Sequence, residues 1–446
     1  MSSDTAPTTF KDRLRGVSKK LKLDSHYQIE RYGIGLLVMV IIGAILIGTA
    51  GVTAFQKSRA NLGATAIYTS SFTTSKTAVE GQVAEIYTSE DRTQAFVLMH
   101  FDNVAQMSTD ADNYQAFMTG IDQKFNNETL KGDPSGQIYM FGSTGYMGVL
   151  LTNPEGFENQ ILNLTLRANE EIVTPEKAAE LDDDLVGDSS FAQYDQWRMV
   201  VNPGATGAEV SETLTEDPTN VRGLYDEMVI APQEAEIRST MDEQLSQMRT
   251  QLSAIDEYTN RLVSSKFGDD TLAAPEVPEQ IKGDEILCDG KSLRRNSNEL
   301  NSCEPEKLSL KTEWVAPDGY DFDWRTGSVN RGYLDQIVPA DSSYLAYLGE
   351  HQAEDYDDMK TSEIEFKLAD GTLLVDSPAY QNTDAGPVKS VNDNIALLTD
   401  AYDTYYDTKK AYQVDSHNEL LDLEVGLRDV ESNYSINEDT DSVLMY

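Results

Sequence analysis

The chain has 446 residues, with 76 Asp and Glu against 35 Lys and Arg, a formal net charge of -41. That balance repels nucleic-acid phosphates and favours basic partners and cations, so it excludes nucleic-acid binding by the bulk of the molecule. Apolar and aromatic residues recur along a length sufficient for several buried cores, which excludes a disordered polyanion. The four scattered histidines and two cysteines offer no metal-ligand spacing and no cofactor motif.

Residues 1–32 read as a cytoplasmic basic tail. Phe10, Leu14, Val17 and Leu21 fall on one helical face, and Lys11, Arg13, Arg15, Lys19, Lys20 and Lys22 occupy most of the remainder. This pattern suits a short amphipathic helix on the anionic inner leaflet of a lipid bilayer, or a plain topology signal. Residues 33–56 then read as a membrane-spanning helix. Between 34 and 55 no charged, Asn, Gln or His side chain occurs, and at 1.5 Å per residue the run reaches about 33 Å, enough for a hydrocarbon core of about 30 Å. A signal peptide has a shorter apolar run. The Lys and Arg surplus before the span holds that side in the cytoplasm, which predicts a single-pass protein of the cell membrane with its C-terminal part outside the cytoplasm. Beyond residue 55 lie 72 of the 76 acidic residues and 28 of the 35 basic ones.

Residues 57–231 read as a β-rich, sandwich-like domain. Candidate strands are 66–72, 79–87, 95–101, 138–141, 147–151, 161–166 and 197–201, separated by Gly, Asn and Pro punctuation. A short helix is expected after Thr174-Pro175. Residues 232–268 carry the clearest helical period: Met241, Met248, Ile255 and Leu262 repeat every seven residues, with Leu245 and Leu252 between them. Residues 391–432 supply a return helix, with Ile395, Leu398, Tyr402, Tyr405 and Tyr412 in one phase and Leu420, Leu423, Leu427 and Val430 in another. The slip predicts a break or bend near Ser416. The two helices are expected to pair antiparallel within the chain, or to coil between copies as a homo-oligomer.

The intervening residues, 269–390, read as a small β or α+β domain entered by a Pro-containing linker at 273–280. Ile364, Phe366 and Leu368 alternate towards an Asp370-Gly371 turn, a hairpin signal. Cys288 and Cys303 are the only cysteines, and in an oxidising compartment a disulfide between them is expected to add about 3 kcal/mol. Residues 433–446 read as a frayed C-terminal tail. The fold class is therefore α+β, with one N-terminal transmembrane helix, a sandwich-like ectodomain and a long antiparallel helical pair bearing a second small domain.

No catalytic constellation emerges. Gly290-Lys291-Ser292 lacks the upstream glycine of a phosphate loop, Ser143 in 141–145 is not placed as a nucleophile elbow, and the acidic runs at 182–184 and 355–358 read as solvated turns. One cluster points to binding. Trp314, Tyr320, Phe322, Trp324 and Tyr333 are interleaved with Asp318, Asp321 and Asp323, and aromatic faces beside carboxylates stack on a glycan or anchor a basic partner, although such rings equally build a small core. The sequence thus predicts no enzyme but a membrane-anchored scaffold or adhesion and assembly protein with envelope protein partners. A sensor or receptor subunit binding a glycan or cationic ligand is the second reading, and an envelope hydrolase the third.

Overall fold

A computed structural model describes residues 64–103, 107–121, 126–168, 195–267, 269–288, 291–292, 307–310, 322–350, 359, 361–381, 386–437 and 443–445. The basic tail with Lys11 to Lys22, the expected membrane span, the helix after Thr174-Pro175 and both acidic runs lie outside the described residues, as do Cys303, Trp314, Asp318, Tyr320 and Asp321. Among the described residues no helix is long and apolar enough to cross a membrane. The fold is α+β, with a β-sheet-rich region and two long helices.

The β region contains β1 (Ser71–Thr73), β2 (Glu80–Thr88), β3 (Gln94–Phe101), β4 (Tyr114–Ile121), β5 (Asn127–Glu128), β6 (Ser135–Met140), β7 (Tyr146–Thr152), β8 (Ile161–Ala168), β9 (Gln196–Val201) and β10 (Glu209–Val210). Smaller pieces follow as β11 (Lys266–Phe267), β12 (Asp270–Thr271), β13 (Glu285–Cys288), β14 (Lys291–Ser292), β15 (Lys307–Ser309), β16 (Ser435–Ile436) and β17 (Val443–Met445). A larger sheet runs β1-β2-β3-β7-β6-β16, with β10 beside β2, and a smaller one runs β17-β4-β8-β9, with β5 beside β4. Their inner faces share one core, where Val97, Met99, Val149 and Met147 meet Met118, Leu164, Leu166 and Trp197. This is a sandwich.

The larger sheet is buried on both faces. Phe96, Leu98, Tyr139 and Leu150 point away from the sandwich core and pack instead with Leu224, Tyr225 and Met228. That explains the near-continuous apolar runs of β3 and β7, since a sheet covered on both sides has no polar face to alternate with. A register shift between Val83 and Glu85 lets β2 serve both layers. With one residue bulged out, Val83 and Ile86 face the sandwich core while Tyr87 faces the helices. Gly148 has no room for a side chain, because a Cβ there would lie 2.0 Å from the Phe96 ring.

Two differences from the sequence reading are physical. β4 was not among the expected strands because its Ala, Gly, Gln and Thr dilute the usual strand chemistry, yet Tyr114, Ala116 and Met118 alternate inward and it pairs along its length with β8. The end of the chain is not a frayed tail in its described parts. Ser435 and Ile436 pair antiparallel with β6, and Val443 to Met445 pair parallel with β4, so the C-terminal stretch contributes to both sheets.

The long helices are α1 (Ala231–Ser264), α2 (Gly386–Lys410) and α3 (His417–Asn433). α1 does not begin at Pro232. It continues from a short helix, Val221–Tyr225, through a π-helical turn, Asp226–Ile230, and Pro232 falls just after that turn. A second π-helical turn, Ala411–Ser416, joins α2 to α3, where the sequence predicted a break or bend. Met241, Leu245, Met248, Leu252, Ile255 and Leu262 are all buried, as the seven-residue period requires. The contacts set the directions: α3 lies beside 221–230, Ser416 Oγ donates to Gln244 Oε1 at 3.0 Å, and α2 runs along α1 to its C-terminal end. From Gln233, whose amide donates to Tyr146 Oη at 2.8 Å, α1 carries the chain about 45 Å further.

Candidate functional site

The described half of the aromatic cluster belongs to a strap, residues 322–338, laid across the two helices. Phe322, Trp324, Val329, Tyr333 and Leu334 are buried in the core shared with the helices. Two buried carboxylates staple the strap. Glu234 of α1 accepts from the Val329 amide and the Tyr333 hydroxyl, both at 3.1 Å, and pairs with Arg238. Glu424 of α3 accepts from the amides of Tyr333 and Leu334, the latter at 2.9 Å, and pairs with Arg428. The carboxylates satisfy backbone donors that burial would otherwise orphan.

Within this strap Trp324 is buried, its Nε1 donates to Tyr412 Oη at 2.9 Å, and the Arg325 guanidinium covers its ring at 4.4 Å. Asp323 is exposed, but its carboxylate closes its own turn by accepting from the side chain and amide of Thr326 and from the amide of Arg325. These hydrogen bonds hold it below the usual carboxylate range. Of the residues expected to touch a ligand, the described ones therefore serve the fold here. Cys288 ends β13, opposite Lys291 of β14.

A concave surface lies elsewhere, where 273–280 runs beside 359–367. Ala273 donates its amide to Lys367 O at 2.9 Å, and Leu272 bridges Leu368, so the two extended segments are tied side by side. The Asp370-Gly371 turn closes the second segment with Gly371 at φ 91°, and its returning arm pairs briefly, Leu368 N donating to Thr372 O at 2.8 Å and Leu374 N to Phe366 O at 2.9 Å around a Lys367–Leu373 bridge, before entering a 3-10 turn at Leu374–Asp376. Alternation places Glu363, Glu365 and Lys367 outward while Ile364 and Phe366 are half-buried.

The result is a cleft of about 740 Å³. Its apolar floor includes Val277, Pro278, Met359 and Ile364, and its rim carries Glu276, Glu279, Glu363 and Glu365. Two lysines answer part of that charge: Lys367 meets Glu365 at 2.7 Å and Lys282 meets Glu279 at 2.6 Å. Both ammonium groups are held above the usual lysine range, chiefly by these glutamates and further by Glu276.

One wall of the cleft is clasped to α2 by a buried ion pair. Lys409 and Asp284 are both fully buried with Nζ to Oδ2 at 2.7 Å; Tyr405 donates to the same oxygen at 2.7 Å, and Lys409 also donates to Gln280 O at 2.9 Å. Sequence reasoning passed over Lys409, Glu234 and Glu424. The available signal was a charged residue on an apolar helical stripe, such as Lys409 four residues after Tyr405, which marks either a break in the seam or a buried partner.

Among the described residues no group of three His, Cys, Asp or Glu side chains is placed to hold a metal ion. No known protein family, curated protein or solved structure matches the chain.

Proposed function

We propose that this protein is a membrane-anchored interaction protein, a scaffold or adhesion and assembly component. In this reading the N-terminus is cytoplasmic and the sandwich, helical pair and small domain project from the outer side of the membrane. The observation that carries the reading is the cleft. An apolar floor between two extended segments, rimmed by four glutamates, suits an extended basic segment of a protein partner, whose stem would cover the floor while its cations meet the rim. The span at 33–56 and the charge step across it support the anchoring.

The test is chemical crosslinking of the tagged full-length protein in its native membrane, followed by mass spectrometry of what co-purifies. A defined set of envelope proteins is expected from the wild type, and its loss is expected from Glu276→Lys/Glu363→Lys. Capture unchanged by the charge reversal would remove the cleft from the reading. Recovery of this chain alone would remove the scaffold role and leave a homo-oligomer. The same concavity favours a sensor or receptor subunit as the second reading, in which a small cationic ligand or a glycan displaces the protein segment; titration with either, read as protection of 273–280, separates the two.

A further inference from the structure

Relative to a seven-residue repeat, the return helix carries one residue too many. Leu398, Tyr405 and Tyr412 are seven apart, as are Leu420 and Leu427, but Tyr412 and Leu420 are eight apart. The π-helical turn Ala411–Ser416 occupies the first part of that interval and takes up the extra residue. Inside the turn Gln413 is 3% exposed, and neither its Nε2 nor its Oε1 meets a hydrogen-bonding partner among the described residues. A carboxamide sealed in without partners raises the free energy of the closed state relative to one in which water reaches it.

The neighbouring residue connects this turn to the cleft. Val414 packs with Tyr406 and Met359 in a small apolar cluster, and Met359, which also touches the main helical core, lines the cleft. Stronger attachments bound the turn on both sides. Before it, Tyr405 and Lys409 hold Asp284; after it, Glu424 holds the strap at Tyr333 and Leu334.

We propose that Ala411–Ser416 is a local opening point of the return helix, and that its opening releases Met359 and with it one wall of the cleft. Opening hydrates Gln413 and separates Val414 from Met359, while the flanking attachments confine the change to the turn. The cleft thereby exchanges between a walled and an unwalled form. Nothing in this device depends on which partner enters.

Amide hydrogen exchange of the full-length protein tests it, read by mass spectrometry on wild type, Gln413→Leu and a variant lacking Gln413. In the wild type, 411–416 is expected to exchange at least about tenfold faster than 398–405 and 420–430, and Gln413→Leu to slow it about fivefold. Deleting Gln413 restores the seven-residue spacing and is expected to slow the turn further, with 361–367 slowing alongside. Protection of 411–416 equal to its flanks, or rates unmoved by Gln413→Leu, would overturn the proposal. Slowing at 411–416 with none at 361–367 would overturn the link to the cleft. Should the deletion variant fail to fold, Gln413→Leu decides alone. Loss of partner capture by the cleft leaves these rates where they are, so the two readings fail separately.

Discussion

The helical layer contains two π-helical turns, and they have different causes. At Asp226–Ile230 the cause is Pro232, which lacks the amide hydrogen that an α-helix would direct at the Met228 carbonyl. The sheet supplies the missing donor, since Tyr87 Oη donates to Met228 O at 3.2 Å. Around that turn the polar groups are served: Glu227 accepts from the hydroxyl of Ser211 and the amides of Glu212 and Thr213, each at 2.9 Å. At Ala411–Ser416 there is no proline, the cause is one surplus residue in the seam, and Gln413 is left without partners. The difference teaches that a π-turn is not a weak point in itself. It is weak where a buried polar side chain is left unpaired, as Gln413 is between the bonded Tyr412 and Ser416.

The largest effect is expected beside the second turn, where the helix is anchored. Lys409→Met leaves the fully buried Asp284 without its cation, and breaking such a pair costs about 3–5 kcal/mol. Urea unfolding followed by circular dichroism measures it. Lys409→Met combined with Asp284→Leu should recover most of the loss, because the pair as a whole contributes little once both charges are gone. A single-mutant loss below about 1 kcal/mol would mean that the apolar seam, not the ion pair, holds α2 to the loop.

How much of this was legible in the sequence depends on what kind of signal each feature leaves. Seam positions such as Met241, Met248 and Ile255 and strands such as 95–101 were readable because burial on one or two faces imposes a period on residue type. The slip between Tyr412 and Leu420 was readable as well, and the π-turn is its structural form. The surplus of unbroken apolar residues in β3 concealed rather than revealed its second neighbour, since a two-faced strand has no alternation to say what lies on each side. The cleft was hidden for another reason. Its segment 273–280 has the proline and glutamate content of a linker, and only the bridge of Leu272 to Leu368, nearly a hundred positions away, makes it a wall. Trp324 and Asp323 point towards a ligand by composition; their partners Tyr412, Arg325 and Thr326 tie them into the fold, and of these only Arg325 is adjacent in sequence to the residue it covers.

The first turn yields the next prediction, which tests the cause assigned to it. Tyr87→Phe removes the hydroxyl that donates to the Met228 carbonyl and is expected to cost about 1–2 kcal/mol. Pro232→Ala returns an amide hydrogen at the position from which an α-helix would serve that carbonyl. In the Pro232→Ala background the cost of Tyr87→Phe should therefore shrink, with a coupling of about 0.5 kcal/mol or more in a double-mutant cycle. Additive effects would show that the proline and the tyrosine do not share Met228, and the contrast between the two turns would then lose its physical basis.

The smallest effect concerns protons. Burial raises the Glu227 carboxyl, but the hydrogen bonds from Thr213, Ser211 and Glu212 outweigh it and hold the group below its ordinary value of 4.5. A folded-state value below the unfolded one means that this carboxylate stabilises the protein fully above about pH 4.5, and that the contribution is lost as pH falls through the folded value. Asp226, next to it, runs the other way: burial raises its carboxyl despite Asn330 and Arg222, so its ionisation opposes folding as pH rises through the acid range. Glu227→Gln should accordingly lower stability near neutrality by about 1 kcal/mol, the scale of a lost helix cap, and flatten the decline between about pH 5 and 3. Asp226→Asn should leave the neutral value the same or higher and steepen that decline. Thermal melts across this range distinguish them. If both variants shift the curve in parallel, the first turn owes its stability to packing alone, and the service of its polar groups is not what sets it apart from the second.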